Sequence, residues 1–203
     1  MKLNRQARFA ECGDDFLARL CADWERAAAP AAEAGVRFVT VNGWTGPSPS
    51  PDRQGPPSSG WDMHGGGKEF TIADGLATLL PAVDKAASAF IEDIHERGLE
   101  KKILLVITGE FGRTPKINKN GGRDHWGNLC TLAFVGGGLK MGQVIGRSDR
   151  TAGAPASEPI SSSQVLATVM HTLFDLQEVR VLPGLPNEVT NAVAGGEPIR
   201  ELV

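Results

Sequence analysis

The chain has 203 residues, 41% hydrophobic and 22% charged, a composition that supports one compact domain and excludes pervasive disorder. Twenty-one Lys and Arg stand against 24 Asp and Glu for a formal charge of -3, so no polybasic surface advertises nucleic acid or an anionic membrane, and neither is expected as a partner. No apolar run approaches the roughly 18 to 20 residues that cross a bilayer, and the start, MKLNRQARFAECGDD, has no signal-peptide-like apolar stretch. Three scattered cysteines, Cys12, Cys21 and Cys130, make neither a disulfide framework nor a C-x-x-C metal site, and read as small buried hydrophobes.

In chain order, Phe16, Leu17, Leu20, Trp24 and Ala27 recur at helical spacing between Asp14 and Ala34, with Gly35 suited to close the helix and Val36 to Val41 following as a strand. The 25 Gly and 13 Pro are clustered, and the first cluster, Gly43 to Gly67, excludes regular structure. A flexible inserted loop is expected at 45–60, with a proline-rich middle from Pro47 to Ser59. Helical spacing returns at Leu76, Leu79 and Leu80 and continues through Val83, Ala87, Phe90, Ile91 and Ile94, with Pro81 restarting the helix and Gly98 ending it. Ile103 to Ile107 is apolar without alternation, the pattern of a strand buried on both faces of a parallel sheet. Leu129 to Val135 reads as a further buried strand, Gln143 to Ile145 as a short one, and Ser161 to Ser163 as the cap of a last helix through about Leu176. The tail from Pro183 shows little pattern. These alternations predict an α/β fold with a mostly parallel sheet and helices on both faces, in a single domain spanning 1–203.

In such a sheet, ligands bind at the carboxyl ends of the strands, which puts the loops after Val41 and Ile107 on one edge. The first loop holds Asp62 and His64, whose side chains point the same way in an extended segment. A carboxylate beside an imidazole is half a metal site, or an ordinary surface pair. In the second loop, Glu110 stands just past a strand end and Asp124 and His125 add two ligand-type groups. Together they suit a borderline cation, zinc or manganese. Equally, Glu110 pairs with Arg113 or Arg123 and Asp124 caps a turn. His95 suits the negative end of a helix dipole, and His171 reads as a partly buried packing residue. Trp61 and Trp126 either wall a site against water or simply pack their loops.

Five stretches, Ala34 to Val41, Gly60-Trp-Asp-Met-His64, Gly109 to Asn118, Gly122-Arg-Asp-His-Trp126, and Gly136-Gly-Gly138 with Gly142 to Gly146, resemble in order the domain-of-unknown-function family numbered 1501. That family looks like a branch of the alkaline phosphatase and sulfatase superfamily. The resemblance runs from about Asp14 onward, matches the family's C-terminal half, and implies a partial alkaline-phosphatase-like fold. It implies that Asp62 and His64 hold one metal, with His125 as the last metal histidine and Asp124 a ligand or an orienter beside it. Glu110 then takes the place of an acidic second-metal ligand, although Phe111 stands where a partner histidine is usual. Arg113 and Arg123 grip an anionic ester, for which a guanidinium has matching bidentate geometry.

The resemblance implies a metal-dependent hydrolase of phosphate or sulfate esters, with a divalent metal as cofactor: zinc or manganese first, calcium or magnesium as alternatives. The superfamily's nucleophilic hydroxyl lies near the start of its fold, on a segment with no counterpart in this sequence. Thr40 and Thr45 lie near the expected edge without surroundings that announce activation. The competing expectation is therefore a catalytically incomplete metal-binding or structural module. With the family's first half absent, an exposed sheet edge covered by a partner or a further segment is also expected. Family members are often exported, whereas this start carries no export signal.

Overall fold

The computed structural model describes residues 38–41, 60–67 and 69–203. The helix expected from Asp14 to Ala34, the inserted loop up to Ser59, Thr45, Cys12 and Cys21 lie outside them. Residues 38–41, the end of the strand expected from Val36, are exposed and in no strand. The chain divides into two compact units, and the first contains, among the described residues, 38–41, 60–67, 69–90 and 117–123.

The first unit is organised around the start of helix α1, Ile72–Glu96. Thr71 sets that start: its hydroxyl accepts the Asp74 N–H at 3.1 Å and donates to the Asp74 carboxylate at 2.9 Å, satisfying a donor that the first helical turn leaves open. The helix runs through Pro81 without a break, where the sequence suggested a restart. The absent N–H removes one backbone bond, and the apolar run on either side of it sustains a single element. Leu79 is buried, whereas Leu76 and Leu80 are 40% and 48% exposed, so the inward face is narrower than the leucine spacing implied. Met63 is buried against the helix at Gly75, where a Cβ would lie 2.5 Å from the Met63 sulfur.

The second unit contains 91–116 and 124–203. It begins with the last turn of α1, which ends in a two-bond glycine cap. Gly98, at φ +64°, donates to the His95 carbonyl, and Leu99 donates back to Ile94. Strand β1, Leu104–Ile107, follows, then β2, Gly112–Arg113, β3, His125–Trp126, and β4, Ala133–Gly136. β1 pairs antiparallel with β4 and β2 pairs antiparallel with β3. Among the described residues these two-stranded ladders are the only sheets, which overturns the expectation of a mostly parallel sheet with helices on both faces.

The reason lies between β1 and β4. A parallel pair requires a crossover, usually a helix, that carries the chain back to the same end. Residues 108–132 contain no helix; the short β2–β3 ribbon turns the chain and returns it beside β1 in the opposite direction. The unbroken apolar run at Ile103 to Ile107 was ambiguous because lack of alternation does not fix strand direction. It is half-buried rather than buried on both faces, and Ile107 is 38% exposed.

The core of this unit is Leu139, Ile199 and Leu202, packed against by Leu104, Phe134, Ile145, Val165 and Val203. Helix α2, Ser162–Leu173, starts as its serines suggested, with Ser161 and Gln164 forming a reciprocal capping box. It stops before Leu176, and two further helices follow, α3, Leu176–Val181, capped by Asp175, and α4, Asn187–Ala194, which lies in the tail and is entered from Pro186. Gln143 to Ile145 is not a strand, and Val144 is exposed. Cys130 is exposed rather than buried, and His171 is exposed in the last turn of α2 rather than packed. His95 sits in the last turn of α1, as the dipole argument expected.

Candidate functional site

Asp62 and His64 meet. His64 Nε2 lies 3.1 Å from Asp62 Oδ1, and both side chains remain partly open to solvent, at 28% and 41% exposure. Residues 118–123 position them. The Arg123 N–H donates to the Met63 carbonyl at 2.9 Å, between the two site residues. Asn118 works from both ends of its amide: Nδ2 donates to the His64 carbonyl at 3.2 Å, while Oδ1 accepts from the N–H groups of Asn120 and Gly122. The Gly65–Gly121 bridge and the Ile72 N–H bond to the Gly121 carbonyl tie the same turn to the start of α1. The backbone at His64 is therefore fixed on both sides while its ring is accessible.

In the second unit, Arg113 of β2 stands opposite His125 of β3, so the guanidinium and the imidazole leave the ribbon on the same face. Phe111 connects them. Its ring centroid is 4.3 Å from that of His125 at an interplanar angle of 42°, and the Arg113 guanidinium carbon lies 5.7 Å from the same ring centre. The Thr114 N–H donates to the Asp124 carbonyl, and the Asp124 N–H donates to the Thr114 hydroxyl, at 2.9 and 3.1 Å. The Asp124 backbone is thus locked next to His125. Glu110 is exposed at the bend after β1.

The structure thus joins Asp62 to His64 in one unit and Arg113 to His125 in the other, and Arg123 enters through its backbone bond to Met63. Sequence reasoning overlooked Asn118, the residue that organises the turn beside His64. Its signal was there: an Asx residue followed within four positions by Gly121-Gly122 is a turn with its own side-chain acceptor.

A second loop abuts the ribbon. The Asp149 carboxylate accepts from the Thr151 N–H, the Thr151 hydroxyl and the Gly153 N–H, each at 2.9 Å. The Gly153 N–H bond first, then the Thr151 hydroxyl, hold the Asp149 carboxyl below its ordinary value of 3.8, against a smaller opposing effect of burial. A depressed folded value means that the ionised form supports the loop fully above the ordinary carboxylate range, and that this support is lost as pH falls through the lowered value. The Gly153 amide resonance is therefore expected to hold steady near neutral pH and to titrate with a midpoint below 3.8. A midpoint at or above that value would mean that these bonds do not form in solution.

With this geometry in place, the class is clear at the level of family. Residues 27–203 match the family described as "Protein of unknown function (DUF1501)", and the chain belongs to it. Comparison with curated proteins and with solved structures finds no match.

Proposed function

We propose that this chain is a metal-dependent hydrolase of phosphate or sulfate esters in which Asp62, His64 and His125 hold one divalent cation. The observation that carries this reading is the Asp62–His64 pair at 3.1 Å. With Nε2 protonated, the contact is a hydrogen bond; with Nε2 deprotonated, two lone-pair atoms face one point, an arrangement that a cation relieves. His125, which the family resemblance gives as the last metal histidine, is proposed as the further ligand, for a set of one carboxylate and two imidazoles. The donor set of nitrogen and oxygen suits zinc or manganese, with magnesium or calcium the less fitting choices for two imidazoles. Asp124 and Glu110 are the acidic groups proposed to complete or orient the shell.

Such a cation, when bound, polarises an ester oxygen and lowers the pKa of an attacking hydroxyl or water. Arg113 and Arg123 supply guanidinium groups for the anionic ester oxygens. The likeness to the alkaline phosphatase and sulfatase superfamily rests on these residue types and motifs, not on the sheet.

Two measurements test the reading. Elemental analysis of the purified protein is expected to find about one zinc or manganese per chain, lost in His64→Ala and in His125→Ala. Assay of generic aryl phosphate and aryl sulfate esters with each metal is expected to give turnover that falls with the metal content. Metal without turnover selects the catalytically incomplete module; equal metal content in wild type and both alanine variants defeats the site itself.

A further inference from the structure

The β2–β3 ribbon is too short to orient a side chain by itself. Two residues on each strand make the ladder, and a two-stranded hairpin is marginal without outside support. The support comes from the other side of β3. His125 and Trp126 are consecutive strand residues, so their side chains leave opposite faces. The Trp126 indole Nε1–H donates to the Gly153 carbonyl at 2.8 Å, and Asn128 Nδ2 reaches the same oxygen at 3.5 Å.

Gly153 is held in turn by Asp149, which gathers three donors on one oxygen and closes residues 149–153 into a tight turn. The turn contains Ala152 at φ +54°, a conformation that costs a non-glycine residue free energy and persists only where its surroundings enforce it. A carboxylate holding a strained turn, whose carbonyl holds the indole next to a candidate ligand, is more than a surface loop needs. We propose that Asp149 and Trp126 are positioning residues for His125: Asp149 fixes the Gly153 carbonyl, that carbonyl fixes the Trp126 indole, and the indole sets the plane from which the His125 ring projects toward Phe111.

The functional consequence rests on the reading of His125 as a metal ligand, but the positioning is measurable without metal. Wild type, Asp149→Ala, Asp149→Asn and Trp126→Phe are compared in two ways. The first is the His125 ring-proton resonance of the metal-free protein, assigned with His125→Gln. Packing against Phe111 displaces this resonance through the aromatic ring current. The second is cobalt(II) affinity with the visible spectrum of the bound ion.

Asp149→Ala and Trp126→Phe are expected to shift the His125 resonance toward its solvent-exposed position, to weaken cobalt binding by about tenfold, and to change the visible band. Asparagine presents the same acceptor oxygen, so Asp149→Asn is expected to restore both readouts, a rescue that separates acceptor geometry from charge. A His125 resonance unchanged in Asp149→Ala and Trp126→Phe overturns the proposal, as does an Asp149→Asn variant as impaired as Asp149→Ala. If wild type binds no cobalt, or His125→Gln binds it equally well, the metal reading fails alone and the resonance still decides the positioning.

Discussion

A Gly122→Ala variant is expected to lose about 3 kcal/mol of stability and to separate the Asp62–His64 pair from the turn that holds it. The argument is steric. A Cβ on residue 122 would lie 2.1 Å from the His64 carbonyl carbon, 2.2 Å from its oxygen and 2.4 Å from the Met63 oxygen. All three are backbone atoms, so no rotamer change relieves the clash, and the two segments must move apart. That movement strains the Arg123 to Met63 bond and the Asn118 contacts with His64 and Gly122 together. Gly127→Ala is the control, because a Cβ there meets nothing within 4 Å, and its effect is expected to stay within about 0.5 kcal/mol. Urea unfolding of both variants, with the His64 ring resonance as the local readout, checks the pair. A Gly122→Ala protein as stable as the control would show that the 63–64 and 122–123 segments do not pack this closely in solution.

What the sequence made legible follows from which interactions are local. The capping box at Ser161 was readable because Ser161 and Gln164 are three residues apart and need nothing else to meet. The glycine cap at Gly98 was readable for the same reason. The pairing of Asp62 with His64 was readable too, because residues two positions apart in an extended segment share a face. Strand direction was not. Ile103 to Ile107 carries the same apolar pattern whether its neighbour runs with it or against it, and the outcome was decided by residues 108–132, where a ribbon took the place of a crossover helix. The expectation that the two loops leave one edge of a parallel sheet falls with that sheet. The bonds that hold 118–123 to Met63 and His64 are long-range, with Asn118 54 residues from His64, and their partners carry no mark in a single sequence. Helices α3 and α4 were missed for a related reason: they are short and largely exposed, and so few turns give the apolar pattern little length in which to repeat.

Thr168→Val is expected to cost about 2 kcal/mol and to loosen the last residues of the chain from the second unit. Thr168 is fully buried, with 0% exposure, and its hydroxyl is used twice. It donates to the Gln164 carbonyl one turn earlier at 2.7 Å, and it accepts the Ile199 N–H at 2.9 Å. Valine has nearly the same shape, so packing is preserved and the change isolates one event: the Ile199 N–H loses its acceptor inside the core formed with Leu139 and Leu202. A buried donor left unpaired costs its full desolvation, about 1 to 3 kcal/mol, whereas a lost methyl costs about 0.8 kcal/mol. Thr168→Ser, which keeps the hydroxyl and gives up the methyl, is therefore expected to be the milder substitution. The Lys140 N–H bond to the Leu202 carbonyl and the Gln143 bond to Glu201 lie downstream of Ile199, so amide exchange at Leu202 is expected to accelerate along with that at Ile199 in the valine variant. The measurements are urea midpoints and hydrogen exchange on both variants. If serine proves as costly as valine, burial of the methyl rather than the bond to Ile199 holds the tail, and the assignment of Thr168 as its polar anchor is wrong.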